Sequence, residues 1–368
     1  MDLSVCLIAT EIFGWGRYGG FGSCTRMIGS ALARRGVDVS VVVPLGDGQR
    51  PLEELDGMTV HGFPLYKYLS TGRIYNDVDA DVYHSEEPSW GTRAALEAVQ
   101  DRVHVATCQN PRTREDWRLV EGFYPMRRRL FNALFTGELK RAVRRLDAVY
   151  CQARYTVRKV REMYGLPYDP GFLPNSVEVP RARPSKAADP TVCFLGRLDG
   201  EKRPELFFEL AHRFPDVRFV AMGRAHDGGR DKLLRERYSG IPNLELAGFK
   251  TGPEKSEILG RSWVLANTSV SECLPVSFLE AAAHGCAILS FHDSDGFASN
   301  FGYHVTDGDL DLGLSCLLED ERWRERGEAG RAYVSEVHEV GAVTDLHIKA
   351  YSGLLGREAR GATPPPSS

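Results

Sequence analysis

The sequence predicts an α/β protein built from two doubly wound, Rossmann-like halves. Apolar runs of strand length alternate with helix-like segments over most of the chain, the signature of βαβ units and a mainly parallel sheet. The alternation stops once, near residues 178–190, where prolines gather and large apolar groups are few, and then restarts. The 368 residues also exceed what one core usually organises, so two domains of roughly 150–200 residues are expected, with a cleft between them.

In the first half the strand candidates are "LSVCLIA", "VDVSVVV", "ADVYHS", "RVHVATC" and "DAVYC", each next to a helix-like segment. The second half repeats the rhythm with "TVCFLG", "VRFVAMG", "NLELAG", "WVLANTS" and "CAILSF". Residues 1–180 are expected to form the first domain and 190–340 the second. Residues 341–368 are expected to form a terminal helix and a frayed tail ending in "GATPPPSS".

Composition narrows the function. A net charge of -4 lacks the positive excess that nucleic-acid binding favours, so no nucleic-acid partner is expected. No stretch approaches the roughly 18 apolar residues of a membrane span, and "MDLSVCLIAT" reads as a buried strand rather than a signal peptide. The eight cysteines are scattered, without CxxC pairs or zinc spacing, which fits reduced thiols and a cytoplasmic protein. Arginine outnumbers lysine 37 to 9, as in proteins from GC-rich bacterial genomes.

Three stretches carry chemistry. In "GWGRYGGFGSCTRMIGSALARRG", Gly14, Gly16 and Gly19 meet a dinucleotide-like spacing. A helix follows whose free N–H groups favour an anion, and a tight turn without ligand is the alternative. In "FLGRLDGEKRPELFFELA", Arg197 and Lys202 sit in a short strand-to-helix loop where two cations can meet a diphosphate; a solvated loop is the alternative. In "SECLPVSFLEAAAHG", Pro275 suits the first turn of a helix. Ser277 and Glu280 match a capping box, whereas Glu272 falls in the loop before it, placed to accept hydrogen bonds from sugar hydroxyls.

Together these stretches resemble the retaining glycosyltransferases of family 4, which have the GT-B fold. The E-x7-E pattern is met by Glu272 and Glu280, followed by Ala281 to Ala283 and Gly285. "GGFGSCTRMIGSALARRGVDVSVVVP" resembles the family's opening strand, glycine loop and first helix, and "LPNSVEV" its hinge. The resemblance implies that Arg197 and Lys202 hold the diphosphate of a UDP-, GDP- or ADP-linked sugar donor. It implies further that Glu280 takes the ribose, that Glu272 with the backbone of Leu274, Pro275 and Val276 takes the donor sugar, and that Gly20 approaches the phosphate. Arg197, Lys202 and Glu272 would then be catalytic, without metal or cofactor.

The chain departs from the family pattern at Pro275, at Ser176 and at Gln109, which stands where the family usually has a histidine. Glutamine donates and accepts hydrogen bonds but cannot act as a general base. His84 and Glu86, in "DVYHSEEPSW", are acceptor-side candidates with Glu87, and an ordinary strand-end histidine is the alternative for His84. "NDVDAD" and "HDSDG" contain D-x-D but read as solvated turns. Residues 126–146 form a basic amphipathic helix candidate, either packed through Leu130, Leu134 and Leu139 or making a peripheral membrane contact. The acceptor is unidentified. A nucleotide-sugar epimerase or sugar phosphorylase of the same fold, or a catalytically silent sugar-nucleotide-binding protein, remains the alternative function.

Overall fold

A computed structural model describes residues 3–15, 19–124 and 126–358. The chain divides into two compact units, one of residues 1–113, 125–176 and 340–368, the other of 114–124 and 177–339. The crossover at Ser176/Val177 falls just before the proline-rich stretch. Two segments depart from the expected boundaries: 114–124 joins the second unit, and the C-terminal helix Val340–Glu358 joins the first.

Unit 1 holds strands β1 (Ser4–Ile8), β2 (Asp38–Pro44), β3 (Leu52–Leu55), β4 (Met58–Phe63), β5 (Val82–Ser85), β6 (Val103–Cys108), β7 (Ala148–Cys151) and β8 (Gly171–Phe172). Their order in the sheet is β3-β4-β2-β1-β5-β6-β7-β8. Every pairing is parallel except the β3–β4 hairpin, whose turn residues Asp56 and Gly57 have φ of 51° and 83°. That Asp-Gly turn matches the twist of the flanking strands. Strands β1, β5 and β6 are buried almost throughout, as parallel strands covered by helices on both faces must be. Helix Gly20–Arg34 turns Cys24, Ile28, Ala31 and Leu32 inward. Helix Val340–Glu358 adds Val343, Tyr351 and Leu354 to the same core.

Unit 2 holds β9 (Thr191–Leu195), β10 (Arg218–Met222), β11 (Leu244–Gly248), β12 (Val264–Asn267), β13 (Ala287–Ser290) and β14 (Gly302–His304). They are ordered β11-β10-β9-β12-β13-β14, all parallel. Phe207, Phe208 and Phe219 pack over one face of this core. Trp263 and Trp323 stack with centroids 4.5 Å apart.

These sheet orders decide where chemistry can sit. In an open parallel sheet, ligands bind outside the C-terminal ends of the strands where the order reverses. In unit 2 that point lies between β9 and β12, and in unit 1 between β1 and β5.

Candidate functional site

The loops after β9 and β12 carry the predicted cations and glutamates of unit 2. The loop after β9 starts from a close backbone approach. Gly223 has φ of 151°, and a Cβ there would lie 1.8 Å from the Gly196 carbonyl oxygen, so only glycine lets the two strand ends run so close. Arg203, with φ of 45°, then turns the loop and ties it to its neighbour. Its Nε donates to the Thr268 carbonyl at 2.6 Å and its guanidinium also reaches the Ser269 carbonyl at 3.0 Å. The Thr268 hydroxyl donates back to the Lys202 carbonyl at 2.7 Å, and the Val270 N–H donates to the Glu201 carbonyl at 2.8 Å.

This clamp brings Lys202 to Glu272, with Nζ to Oε1 at 2.5 Å and both side chains largely buried. The same oxygen accepts from the Ser269 hydroxyl at 2.5 Å and the Asn267 amide at 3.2 Å. Burial pushes the Glu272 carboxyl up, but the Lys202 ammonium and these two donors outweigh it and hold the group below its ordinary value. Arg197 is held elsewhere in the loop: its guanidinium donates to Asp199 at 2.9 Å and lies 3.1 Å from His226 Nδ1.

Pro275 caps helix Val276–Ala283 from an extended conformation, and its carbonyl accepts from the Phe278 N–H at 3.0 Å. Leu274 is buried, while Pro275 and Val276 are half-buried at the helix start. Ser277 therefore lies inside the helix, which corrects the capping-box reading of Ser277 and Glu280. Glu280 instead pairs with Lys255 of helix Gly252–Arg261, Nζ to Oε1 at 2.6 Å.

In unit 1 the loops after β1, β5 and β6 gather a second polar group. Glu11 accepts at one oxygen from the N–H groups of Gly19 (2.8 Å) and Gly22 (2.9 Å). The N-terminus of helix Gly20–Arg34, where an anion was expected, thus already faces a carboxylate of the chain beside Gly20. Gly16 lies outside the described residues, as do the neighbouring Arg17 and Tyr18.

Glu87 accepts from the backbone N–H groups of Gln109 (2.6 Å) and Asn110 (3.1 Å). Burial pushes its carboxyl up to about 7, against those two donors and Arg112. Gln109 is buried, its carbonyl accepts from the Gln152 amide at 3.1 Å, and its side-chain Oε1 has no partner. Glu86 is buried with Oε1 unpartnered, and burial pushes its carboxyl up to about 7.

His84 takes the interior place. The ring is fully buried, with Nδ1 2.6 Å from the Tyr351 hydroxyl and Nε2 2.8 Å from the Thr107 hydroxyl. Burial, with His347 beside it, holds this ring well below the usual histidine range. Both nitrogens are engaged, so His84 is not brought to a surface where an acceptor could meet it.

Three of the D-x-D carboxylates are taken up by contacts within the fold. Asp81 accepts from the Ser4 N–H and hydroxyl, Asp79 pairs with Arg102, and Asp293 accepts from the Ser299 N–H and hydroxyl. Among the described residues no group of three potential ligands could hold a metal, and no helix is long and apolar enough to cross a membrane. The basic segment forms helix Met126–Val143. Leu130 and Leu134 have side chains outside the description, and Leu139 is half-buried.

Sequence reasoning missed Glu11, Arg203 and Lys255. Glu11 had a signal, being the acid between the first strand and the glycine turn. Arg203 had a weaker one, as the residue before a helix-starting proline, and Lys255 had none.

Residues 18–180 match the model of Glycosyltransferase Family 4, and residues 178–308 that of Glycosyl transferases group 1. The chain is similar to sulfoquinovosyl transferase SQD2 of Arabidopsis thaliana, with 25% identity over 202 residues. That match spans 51% of this chain but only 38% of the relative's length. Among solved structures, sucrose-phosphate synthase of Thermosynechococcus elongatus superposes with a TM-score of 0.78 at 15% identity, covering 96% of this chain and 100% of that one. Anabaena HepE, solved in complex with UDP-glucose, gives 0.74 at 13% identity with the same coverages.

Proposed function

Because this chain belongs to the family-4-like glycosyltransferases of the GT-B fold, we propose that it transfers a sugar from a nucleotide-diphosphate donor to an acceptor. The transfer would retain the anomeric configuration and need no metal. The observation that carries the reading is the Lys202–Glu272 pair at the switch point of the unit 2 sheet. A largely buried ammonium and carboxylate meet there, in the loops before helix Val276–Ala283, the two signs of charge that a molecule with a diphosphate and a polyol calls for.

In this reading Lys202 and Arg197 balance the charge that builds on the leaving diphosphate, aided by the helix start at Pro275 and Val276. Glu272 accepts hydrogen bonds from the donor sugar, flanked by the backbone of Leu274, and Glu280 accepts from the ribose. Gln109, with its unpartnered oxygen, takes the family histidine's place by accepting a sugar hydroxyl. It cannot remove a proton, so the departing phosphate takes the proton of the attacking hydroxyl. Glu86 is kept for the acceptor side, and a nucleotide sugar such as the UDP-glucose bound by HepE is the donor class to try first.

The test is turnover of UDP-, GDP- and ADP-sugars followed by NMR, with and without candidate acceptors, in EDTA. Retained anomeric configuration and undiminished rate in EDTA are expected. An inverted product, or a rate lost in EDTA and restored by manganese, would overturn the mechanism. Turnover of donor alone into an epimer would replace it with the epimerase.

A further inference from the structure

The loops after β9 and β10 meet at one carboxylate with two competing partners. Asp199 Oδ2 accepts from the Arg197 guanidinium at 2.9 Å, and the same oxygen lies 3.0 Å from His226 Nδ1. That ring nitrogen lies in turn 3.1 Å from Arg197 Nη1. The backbone N–H of His226 donates to the other Asp199 oxygen at 2.9 Å, so the histidine stays at this carboxylate whatever its ring does. A ring nitrogen donates or accepts, never both. Without a proton, Nδ1 accepts from Arg197, and the guanidinium is held by both residues. With a proton, Nδ1 donates to Asp199 and no longer accepts from the arginine.

The other charges around the ring have partners of their own. On helix Gly228–Tyr238, Asp231 accepts from Arg235 and from the Ala225 N–H, and Arg230 pairs with Glu205. Asp227 caps that helix by accepting from the Arg230 N–H. Arg224 acts on Asp231 and lies toward Gly248, where a Cβ would be 3.7 Å from its Nε. Asp199 is thus the carboxylate for which Arg197 and His226 compete. It lies deeper than either of them, and both competitors reach solvent.

We infer that His226 is a positioning residue for Arg197, and that binding of a nucleotide-diphosphate donor exchanges the two at Asp199. The diphosphate draws the guanidinium off the carboxylate, and Nδ1 takes a proton from solvent and donates to Asp199 in its place. A carboxylate left by its arginine favours the charged ring, so a ring that starts neutral takes up about one proton for each donor bound. Asp199 stays paired throughout, which removes most of the cost of freeing Arg197. The role of the donor rests on the reading of Arg197 as a diphosphate ligand; the competition at Asp199 does not.

Calorimetry with UDP-glucose, GDP-mannose and ADP-glucose, in buffers of different ionisation enthalpy, measures the proton uptake, because the diphosphate of a nucleotide sugar has no group that titrates near neutrality. At about pH 8 uptake should approach one proton per donor, and affinity should fall by up to about tenfold for each unit by which pH rises. His226→Asn, which still forms hydrogen bonds but does not titrate, should lose both effects. Asp199→Asn should bind the donor about tenfold more tightly at about pH 8, the scale of one charge-assisted hydrogen bond that no longer has to be broken. Without donor, the Arg197 Nε–H signal in NMR, assigned by its loss in Arg197→Lys, should move together with the His226 ring signals as pH falls and stand still in His226→Asn. Donor binding without proton uptake, or uptake that persists in His226→Asn, would overturn the exchange. An Arg197 signal indifferent to the ring would overturn the positioning role as well. A signal that follows the ring in a protein that binds none of the three nucleotide sugars would leave the competition at Asp199 standing and remove the transfer reading alone.

Discussion

Lys202 and Glu272 stand 70 positions apart in the chain and are joined Nζ to Oε1 at 2.5 Å in the loops after β9 and β12. Removing one member of a buried pair leaves the other charge uncompensated, at about 3–5 kcal/mol, whereas replacing both by apolar groups is often close to neutral. Lys202→Met and Glu272→Leu should each lower the urea midpoint clearly, and the double variant should recover most of the loss. Turnover should behave differently, falling roughly 10²-fold or more in all three, because apolar groups cannot stabilise a leaving diphosphate. A double variant with restored stability and normal rate would show that the pair serves the fold alone.

Glu280 offers a cleaner separation. Its partner Lys255 is about a quarter exposed and Glu280 itself less so, so solvent reaches and screens the lysine end and the pair contributes about 1 kcal/mol, less than Lys202–Glu272. Lys255→Met should therefore change melting temperature and nucleotide affinity little. Glu280→Gln should leave melting nearly unchanged while weakening binding of the nucleoside diphosphate by about tenfold, the scale of one charge-assisted hydrogen bond. Calorimetry on both variants decides it. If the two variants behave alike, Glu280 is only the counter-ion of Lys255.

Much of this site was legible because its parts are local in sequence. The strand runs "TVCFLG" and "WVLANTS" end where β9 and β12 end within a few residues, and the loops of the candidate site follow directly. What could not be read is whatever depends on non-local geometry. The pairing of Glu280 with Lys255 is one case, and the clamp of Arg203 on the carbonyls of Thr268 and Ser269 is another. The edge hairpin was overlooked although "LDGM" carries its Asp-Gly turn, because β3 alternates exposed and half-buried residues and lacks a strong apolar run. His84 shows the limit most plainly: its interior role depends on Tyr351, 267 positions away, on a helix that sequence reasoning had set apart as a terminal segment.

The buried carboxyl of Glu86 should leave a signature in stability against pH. Burial raises it from an ordinary 4.5 to about 7, so the folded state holds its proton more tightly than the unfolded chain does. The associated stability is present in full below about pH 4.5 and is lost as pH rises through about 7, on the order of 3 kcal/mol in all. His84 and His347 act in the opposite sense, since burial lowers both rings and their contribution is lost as pH falls. The measurement is therefore a difference: Glu86→Gln against the unaltered protein, by urea unfolding from about pH 5 to pH 8. The variant should gain relative stability as pH rises, and parallel curves would show that Glu86 is ionised and solvated across the range.

Glu11 is the last case, and the one where the chain supplies the anion that its own glycine turn invites. Its Oε1 accepts from the N–H groups of Gly19 and Gly22 at 2.8 and 2.9 Å, at the end of helix Gly20–Arg34 where the dipole favours negative charge. Glu11→Ala leaves two donors without this partner and should cost about 1–3 kcal/mol. Glu11→Gln keeps an oxygen in place and loses only the charge, so it should cost about 0.3–1 kcal/mol. If the phosphate of a donor also approaches Gly20, the same carboxylate repels it. Glu11→Gln should then bind UDP about threefold more tightly while remaining nearly as stable as the unaltered protein. Unchanged UDP affinity in a folded Glu11→Gln variant would show that no phosphate comes near Gly20 and would confine Glu11 to holding the helix start.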